Sequence, residues 1–212
     1  MTPSTDQIRA YLEAAHSEPP ALLLELERHG RNDNVPIVSR ETGRLLSTIV
    51  RAMQASRILE IGTGYGYSTL WMALAQPRLG RIWTLDPDAA RTGVAIQYFK
   101  QAGEDDFIEV FNTPVLDLLE NFPHRNLDIV FVDADKRNYR TYLDLIVPML
   151  KLSGLVIVDD CLLGGRVAES TVSDDPTVAA MRDFNRYFLA HPELDATILP
   201  LGNGTGIGAR WR

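Results

Sequence analysis

Cysteine is all but missing from this chain. Cys161 stands alone, so no internal disulfide can form and no cysteine zinc site can be assembled. Histidine is nearly as scarce: His16, His29, His124 and His191 are scattered and show no metal-ligand spacing. A stripe of basic residues is absent too. With 21 Lys and Arg against 28 Asp and Glu, the net charge of −7 argues against a nucleic-acid surface, which needs clustered positive charge. No apolar run approaches the length of a membrane span, and the opening MTPSTDQIRAYLEAAH lacks the charged-then-apolar layout of a signal peptide. Repeats and low-complexity stretches are lacking as well. These absences set the expectation of a reducing, cytoplasmic setting, with neither nucleic acid nor membrane as a partner. What remains is ordinary: 212 residues, 45% apolar and 23% charged, suit one domain over 1–212 with a substantial core.

The most informative stretch is Arg57–Met72, RILEIGTGYGYSTLWM. A short apolar run breaks into Gly62, Gly64 and Gly66 and resumes as a helix-like pattern from Tyr67, the layout of the first βα unit of a nucleotide-binding α/β domain. Glycines let the backbone turn tightly and approach a ligand closely, and free N–H groups at a helix start favour a carboxylate or phosphate. The dinucleotide pattern G-x-G-x-x-G would need a third glycine at Tyr67, which disfavours a pyrophosphate ligand. Glu60, a carboxylate just before the turn, is unwelcome beside a pyrophosphate and attractive beside a sulfonium with its α-amino group. Asp86, ending the next apolar run, is placed to accept both hydroxyls of a ribose. Together these fit S-adenosylmethionine better than NAD.

Around this unit the chain alternates. Strands are predicted at Arg57–Ile61, Arg81–Leu85, Phe107–Phe111, Leu127–Val132 and Gly154–Asp159. Helices are predicted between them at Tyr67–Ala75, Ala89–Ala102, Val115–Asn121 and Tyr139–Lys151, with one more at Thr177–Ala190. Such alternation implies a doubly wound, mostly parallel sheet covered on both faces. Ala196–Pro200 and Gly206–Arg210, joined through Gly202, Gly204 and Gly206, read as a terminal hairpin that makes the sheet mixed at its edge. Amphipathic helices at Thr5–Ala15 and Pro20–His29, and a third at Thr42–Gln54 behind Ser39 as N-cap, form an N-terminal flank or lid over 1–55, ahead of an α/β core over 56–212.

Ligands of such sheets lie beyond the carboxyl ends of the strands. Those ends carry Glu60 with the glycines, Asp86, Asn112, Asp133 with Asp135, and Asp159 with Asp160. Neighbouring carboxylate clusters repel unless a cation lies between them. With no histidine or thiolate at hand, hard oxygen ligands point to Mg²⁺, or to Mn²⁺ or Ca²⁺. Adjacent strand residues point to opposite faces, so Asp159 and Asp160 share a metal only if the backbone turns out of the sheet there. Alternatively, Asp135 and Asp160 cap the segments that follow them. Lys136, on the same rim, is a usable general base if its surroundings lower its pKa.

The stretches LEIGTGYGYS, FVDADKRNY and GLVIVDD resemble the class I S-adenosylmethionine-dependent O-methyltransferases of the catechol and caffeoyl-coenzyme A group. The resemblance runs from about Val35 to the C-terminus. It implies a Rossmann-like, seven-stranded, mostly parallel sheet with a reversed last strand at its antiparallel edge, extra N-terminal helices, a homodimer and a divalent metal. Val38, Glu60, Gly62, Ser68, Asp86, Asn112 and Asp135 would then serve the cofactor, with Ser68 at its carboxylate and Asn112 beside its adenine. Asp133, Asp159 and Asp160 would hold the metal, and Lys136 with Asp133 would be catalytic. Asp160 departs from the pattern, which usually has asparagine there. The implied reaction methylates one of two adjacent phenolic hydroxyls of a small catechol-like acceptor, shaped by the N-terminal helices and the Cys161–Pro176 loop. Other readings are a metal-independent methyltransferase, a NAD-binding oxidoreductase and a non-catalytic cofactor-binding module.

Overall fold

A computed structural model describes residues 5–169 and 175–212 of the chain. Seven strands form one sheet: β1 (Arg57–Ile61), β2 (Arg81–Leu85), β3 (Ile108–Phe111), β4 (Leu127–Val132), β5 (Leu150–Val158), β6 (Leu194–Leu199) and β7 (Thr205–Arg210). Their order is β3-β2-β1-β4-β5-β7-β6, with β1 to β5 parallel and β7 antiparallel to both of its neighbours. The sheet is therefore mixed at this edge, as expected. The reversed strand itself lies one place in, because β6 takes the outermost position.

The chain winds outward from β1 through β2 to β3 and then returns to β4, leaving a crevice where the direction switches. Register keeps the strand ends level there: Ile61 lies opposite both Leu85 and Val132, and Val132 opposite Val158. Helices α4 (Tyr67–Ala73), α5 (Ala89–Ala102), α6 (Val115–Glu120), α7 (Tyr139–Ile146) and α8 (Pro176–Leu189) connect or cover the strands.

Alternation along the strands divides the core into two layers. Leu59, Ile61, Val130, Val132, Val156 and Val158 pack with Tyr142 and Ile146 of α7 and Phe184 and Phe188 of α8. Ile58, Ile82, Ile129, Phe131 and Ile157 pack on the other face with Leu70 of α4 and Phe99 of α5. The N-terminal helices α2 (Ala21–Asn32) and α3 (Arg40–Met53) contribute Leu23, Leu26, Leu46 and Val50 to this second layer. Ser39 caps α3, its hydroxyl accepting from the Thr42 N–H at 3.1 Å. Helix α1 (Thr5–Ala15) stays at the surface, with Ile8, Tyr11 and Leu12 exposed. Among the described residues, no helix is long and apolar enough to cross a membrane.

Three boundaries differ from the sequence reading by three residues or more. The helix expected over Tyr139–Lys151 ends at Ile146, because Pro148 lacks the N–H that another turn requires. A 3-10 turn, Val147–Met149, follows, and β5 already begins at Leu150, opposite Leu127. The second helix runs past His29 to Asn32 with Gly30 inside it, where a Cβ would come within 3.2 Å of Ile37 Cγ2. Gly30 thus sits in helix and close packing, not in a turn.

The start of the β1–β4 pair rests on Asp128. One carboxylate oxygen accepts from the backbone N–H groups of Ser56 and Arg57, each at 2.8 Å, while the other faces Lys151. Burial works against the charge, but Lys151 and the two N–H groups outweigh it and hold the carboxyl below the usual range. Asp128→Asn is therefore expected to cost ~1–2 kcal/mol at pH 7 in denaturant unfolding. A depressed folded-state pKa contributes stability above the unfolded value and loses it as pH falls through the folded one. The gap between wild type and variant should thus close in acid below about pH 4.

Candidate active site

The glycine turn after β1 is shaped by close approach. At Gly62, with φ +104°, a Cβ would lie 1.9 Å from the carbonyl oxygen of Asp133 at the end of β4. At Gly66 it would lie 2.5 Å from Phe99 Cε1, whereas at Gly64 it would meet nothing within 4 Å. The turn is thus pinned at both ends and open in the middle. It opens onto a cavity of about 310 Å³ bounded by Val38, Gly64, Ser68, Asp86, Asp135 and Lys136, among others.

Asp86 holds the turn from inside, accepting from the Gly64 N–H at 2.8 Å and from the Asp88 N–H at 2.9 Å. Asn112 stands behind it and does not line the cavity; its amide donates to the Asp86 carbonyl at 2.9 Å and to the Thr92 hydroxyl at 2.7 Å. Asp135 caps the short 3-10 turn that follows it, and the Arg137 guanidinium, 2.8 Å away, keeps its carboxyl below the ordinary range.

Glu60 points beneath the cavity instead of into it. Its position in β1 faces α4 and β2, and its carboxylate accepts from the hydroxyls of Ser68 (2.6 Å), Thr69 (2.5 Å) and Thr84 (2.6 Å). Burial pushes its pKa up to about 7 despite these donors. The Ser68 hydroxyl proton is committed to Glu60, so what Ser68 can still donate to a cavity ligand is its backbone N–H. The hydroxyl set was legible only in part: Thr84 lies directly opposite Glu60 in register, but the sequence does not display register.

The carboxylates of β4 and β5 gather around a lysine. Lys136 Nζ lies 2.8 Å from Asp133 Oδ1 and 2.7 Å from Asp160 Oδ2. Burial disfavours the ammonium, yet the two carboxylates outweigh it and hold its pKa above the ordinary lysine value. Asp133 is pushed up, first by burial and then by Asp160, with Lys136 opposing. Strand β5 ends at Val158, and Asp160 adopts φ +62°, so the backbone does turn out of the sheet and both Asp159 and Asp160 line one wall. Asp159 is 5% exposed, and its Oδ1 has no hydrogen-bond partner among the described residues. Burial, with the charges of Asp133 and Asp160, pushes it up to about 7. Asn203, from the β6–β7 turn, donates to Asp160 Oδ1 at 2.9 Å, a contact the sequence reading missed.

That wall belongs to a second cavity of about 800 Å³, roofed by Ile8 and Leu12 of α1 and flanked by Arg31, Arg40 and Leu201. Pro36, Ile37, Val38, Asp133 and Lys136 line both cavities. The N-terminal helices thus shape the second cavity. The described part of the Cys161–Pro176 loop does not line it, and residues 170–174 of that loop lie outside the described residues. Two joined cavities with a cluster of carboxylates and an ammonium at the junction can bring two ligands together beside fixed charges.

The profile of the O-methyltransferase family matches residues 13–210. The chain is 35% identical to a catechol O-methyltransferase of Mycobacterium tuberculosis over 76% of its own length and 73% of the relative's. It is 30% identical to a caffeoyl-CoA O-methyltransferase of Populus kitakamiensis, over 84% and 78%. Among solved structures, an O-methyltransferase from Bacillus cereus in complex with SAH superposes with a TM-score of 0.86 at 30% identity, covering 96% of each chain. One from Streptomyces achromogenes, involved in tomaymycin synthesis and in complex with SAM, gives 0.87 at 27% identity over 97% of this chain and 96% of that one. With so much of its length matched and two cavities meeting at a charged junction, the chain belongs to the O-methyltransferase family.

Proposed function

We propose that this enzyme transfers the methyl group of S-adenosylmethionine to one hydroxyl of a small catechol-like acceptor, assisted by a divalent cation, Mg²⁺ foremost. The observation that carries this reading is the Asp133–Lys136–Asp160 cluster, in which Asp133 and Lys136 line both cavities and Asp160 lines the larger one. In this account the smaller cavity takes the cofactor. Asp86 receives the ribose hydroxyls while keeping the turn in place, Val38 and the Ser68 N–H serve the methionine end, and Asp135 closes the rim. Gly62 keeps the floor of the turn thin, Glu60 supports Ser68 from below, and Asn112 supports Asp86 from behind.

The larger cavity takes the acceptor. A free phenol has a pKa near ~10 and is mostly protonated at neutral pH, so it is a weak nucleophile until positive charge is brought to its oxygen. Lys136 supplies such a charge as it stands. It accepts the phenolic proton only once Asp133 and Asp160 are engaged elsewhere, since both hold its ammonium charged. The donor set fits a hard cation: Asp133, Asp159 and Asp160 offer only oxygens, and the buried Asp159 Oδ1 lacks a partner among the described residues. A cation bound there supplies Lewis acidity toward the acceptor's oxygens.

A metal-independent version of the same transfer is the second reading. It draws on Lys136 already bridging Asp133 and Asp160, and on the absence, among the described residues, of three ligating side chains gathered ready for a metal.

Three measurements test the proposal. Methyl transfer to catechol with Mg²⁺ should be abolished by EDTA and restored by excess Mg²⁺; full activity in EDTA selects the metal-independent version, and no product with any catechol removes the acceptor assignment. Lys136→Ala should lower kcat by ~10²–10⁴-fold and leave SAH affinity within about threefold. Because Asp159 must lose its proton to coordinate, Mg²⁺ affinity should rise with pH up to about 7 and level off above it. Calorimetry at pH 6 and pH 8 checks this, with proton release expected only at the lower pH.

A further inference from the structure

The glycine turn is gripped from outside by the N-terminal flank through residues that the reaction as described does not use. Tyr65 sits between Gly64 (φ +52°) and Gly66 (φ +82°), so its own backbone has little stiffness. Its hydroxyl donates to Asp33 Oδ2 at 2.7 Å, just beyond the end of α2. The same carboxylate oxygen lies 3.3 Å from His29 Nε2, and His29 Nδ1 lies 3.0 Å from the Tyr98 hydroxyl on α5. The imidazole also stands edge-on to the Tyr65 ring, with centroids 5.2 Å apart. A parallel contact joins Tyr67, on the other side of Gly66, to Glu27 of α2 at 3.3 Å.

We propose that His29 and Asp33 are positioning residues for the cofactor: by holding Tyr65 they fix the open middle of the glycine turn. Asp86, which lines the cavity, restrains this segment through the Gly64 N–H, and Asp33, which does not, restrains it through the hydroxyl of the next residue, Tyr65, itself part of the cavity lining. The turn is therefore held between two carboxylates, one facing the cavity and one on the flank. With the outer tether cut, Tyr65 and Gly64 gain conformations that the cofactor must remove on binding, and affinity falls while the chemical step is untouched. Tyr98 steadies the imidazole from α5, the helix whose Phe99 also closes on Gly66. Two helices distant in sequence thus converge on one turn.

The inference rests on the cofactor reading above, and the test separates the two. SAH binding to the full chain is measured by calorimetry for wild type, Tyr65→Phe, Asp33→Ala, Asp33→Asn and the Tyr65→Phe/Asp33→Ala double variant. Melting temperatures and catechol kinetics are measured alongside. Tyr65→Phe and Asp33→Ala should each weaken SAH roughly tenfold, the double variant no further, and Asp33→Asn, which keeps an acceptor oxygen, should stay within about threefold of wild type. The KM for S-adenosylmethionine should rise in step, with kcat at saturating cofactor within about twofold and melting temperatures within a few degrees. Unchanged SAH affinity in both single variants, additive losses in the double variant, or an Asp33→Asn as weak as Asp33→Ala overturns the inference. A wild type that binds no SAH overturns the cofactor reading, and this inference with it.

Discussion

The rim of the sheet depends on one contact, the packing of Gly62 against the carbonyl of Asp133. Where the β1 and β4 segments separate, the two backbones approach so closely that no side chain fits between them. The residue that opens the cofactor turn therefore abuts the residue that begins the acid–lysine cluster. Level register among β2, β1, β4 and β5 carries this spacing sideways to Asp86 on one hand and Asp159 on the other. Any substitution at Gly62 would both strain a backbone at φ +104° and collide with the Asp133 backbone.

Two buried carboxylates, Glu60 and Asp159, illustrate how one rim can hold both a satisfied and an unsatisfied group. Both are pushed up to about 7, and in both the leading cause is burial. Glu60 is encircled by three hydroxyl donors, which work against that rise, and it is closed off from the cavities. Asp159 has like-charged neighbours and an oxygen with no hydrogen-bond partner among the described residues. The first arrangement is satisfied and needs nothing further. In the second, a desolvated oxygen is left without compensation, which is costly unless a proton or a cation arrives. The two are distinguished by their partners, not by the extent of their burial.

The order of elements and the composition of the rim were legible because both follow from period and punctuation. Short apolar runs broken by Gly62, Asp86, Asp133 and Asp159 announced where the strands stop. What the sequence hid was direction and register. Glu60 read as a group facing the cofactor, but its place in β1 turns it toward Thr84 and α4. Asn112 read as a cavity residue, yet its amide is spent on Asp86 and Thr92. The end of α7 was readable in principle from Pro148; the apolar pattern of Leu143, Ile146 and Leu150 simply continued past it. Asp33 and His29 stand at i,i+4 spacing, but their contacts with Tyr65 and Tyr98, like that of Asn203 with Asp160, join segments far apart in the chain and have no local pattern.

Asp160 shows how a departure in sequence is absorbed. The resemblance expects asparagine at this position, and the backbone there takes φ +62°, a conformation that asparagine and aspartate both tolerate better than other side chains bearing a Cβ. The exchange therefore leaves intact the turn that carries Asp159 and Asp160 onto one wall. What changes is charge: a third carboxylate joins Asp133 and Asp159 around a single ammonium. Lys136, 2.7 Å from the added charge and 2.8 Å from Asp133, balances part of it, and Asn203 hydrogen-bonds the remaining oxygen. With its three carboxylates ionised the cluster is net negative, so whatever enters the junction of the two cavities then gains by bringing positive charge with it. A sulfonium on one side and a hard cation on the other both satisfy that condition.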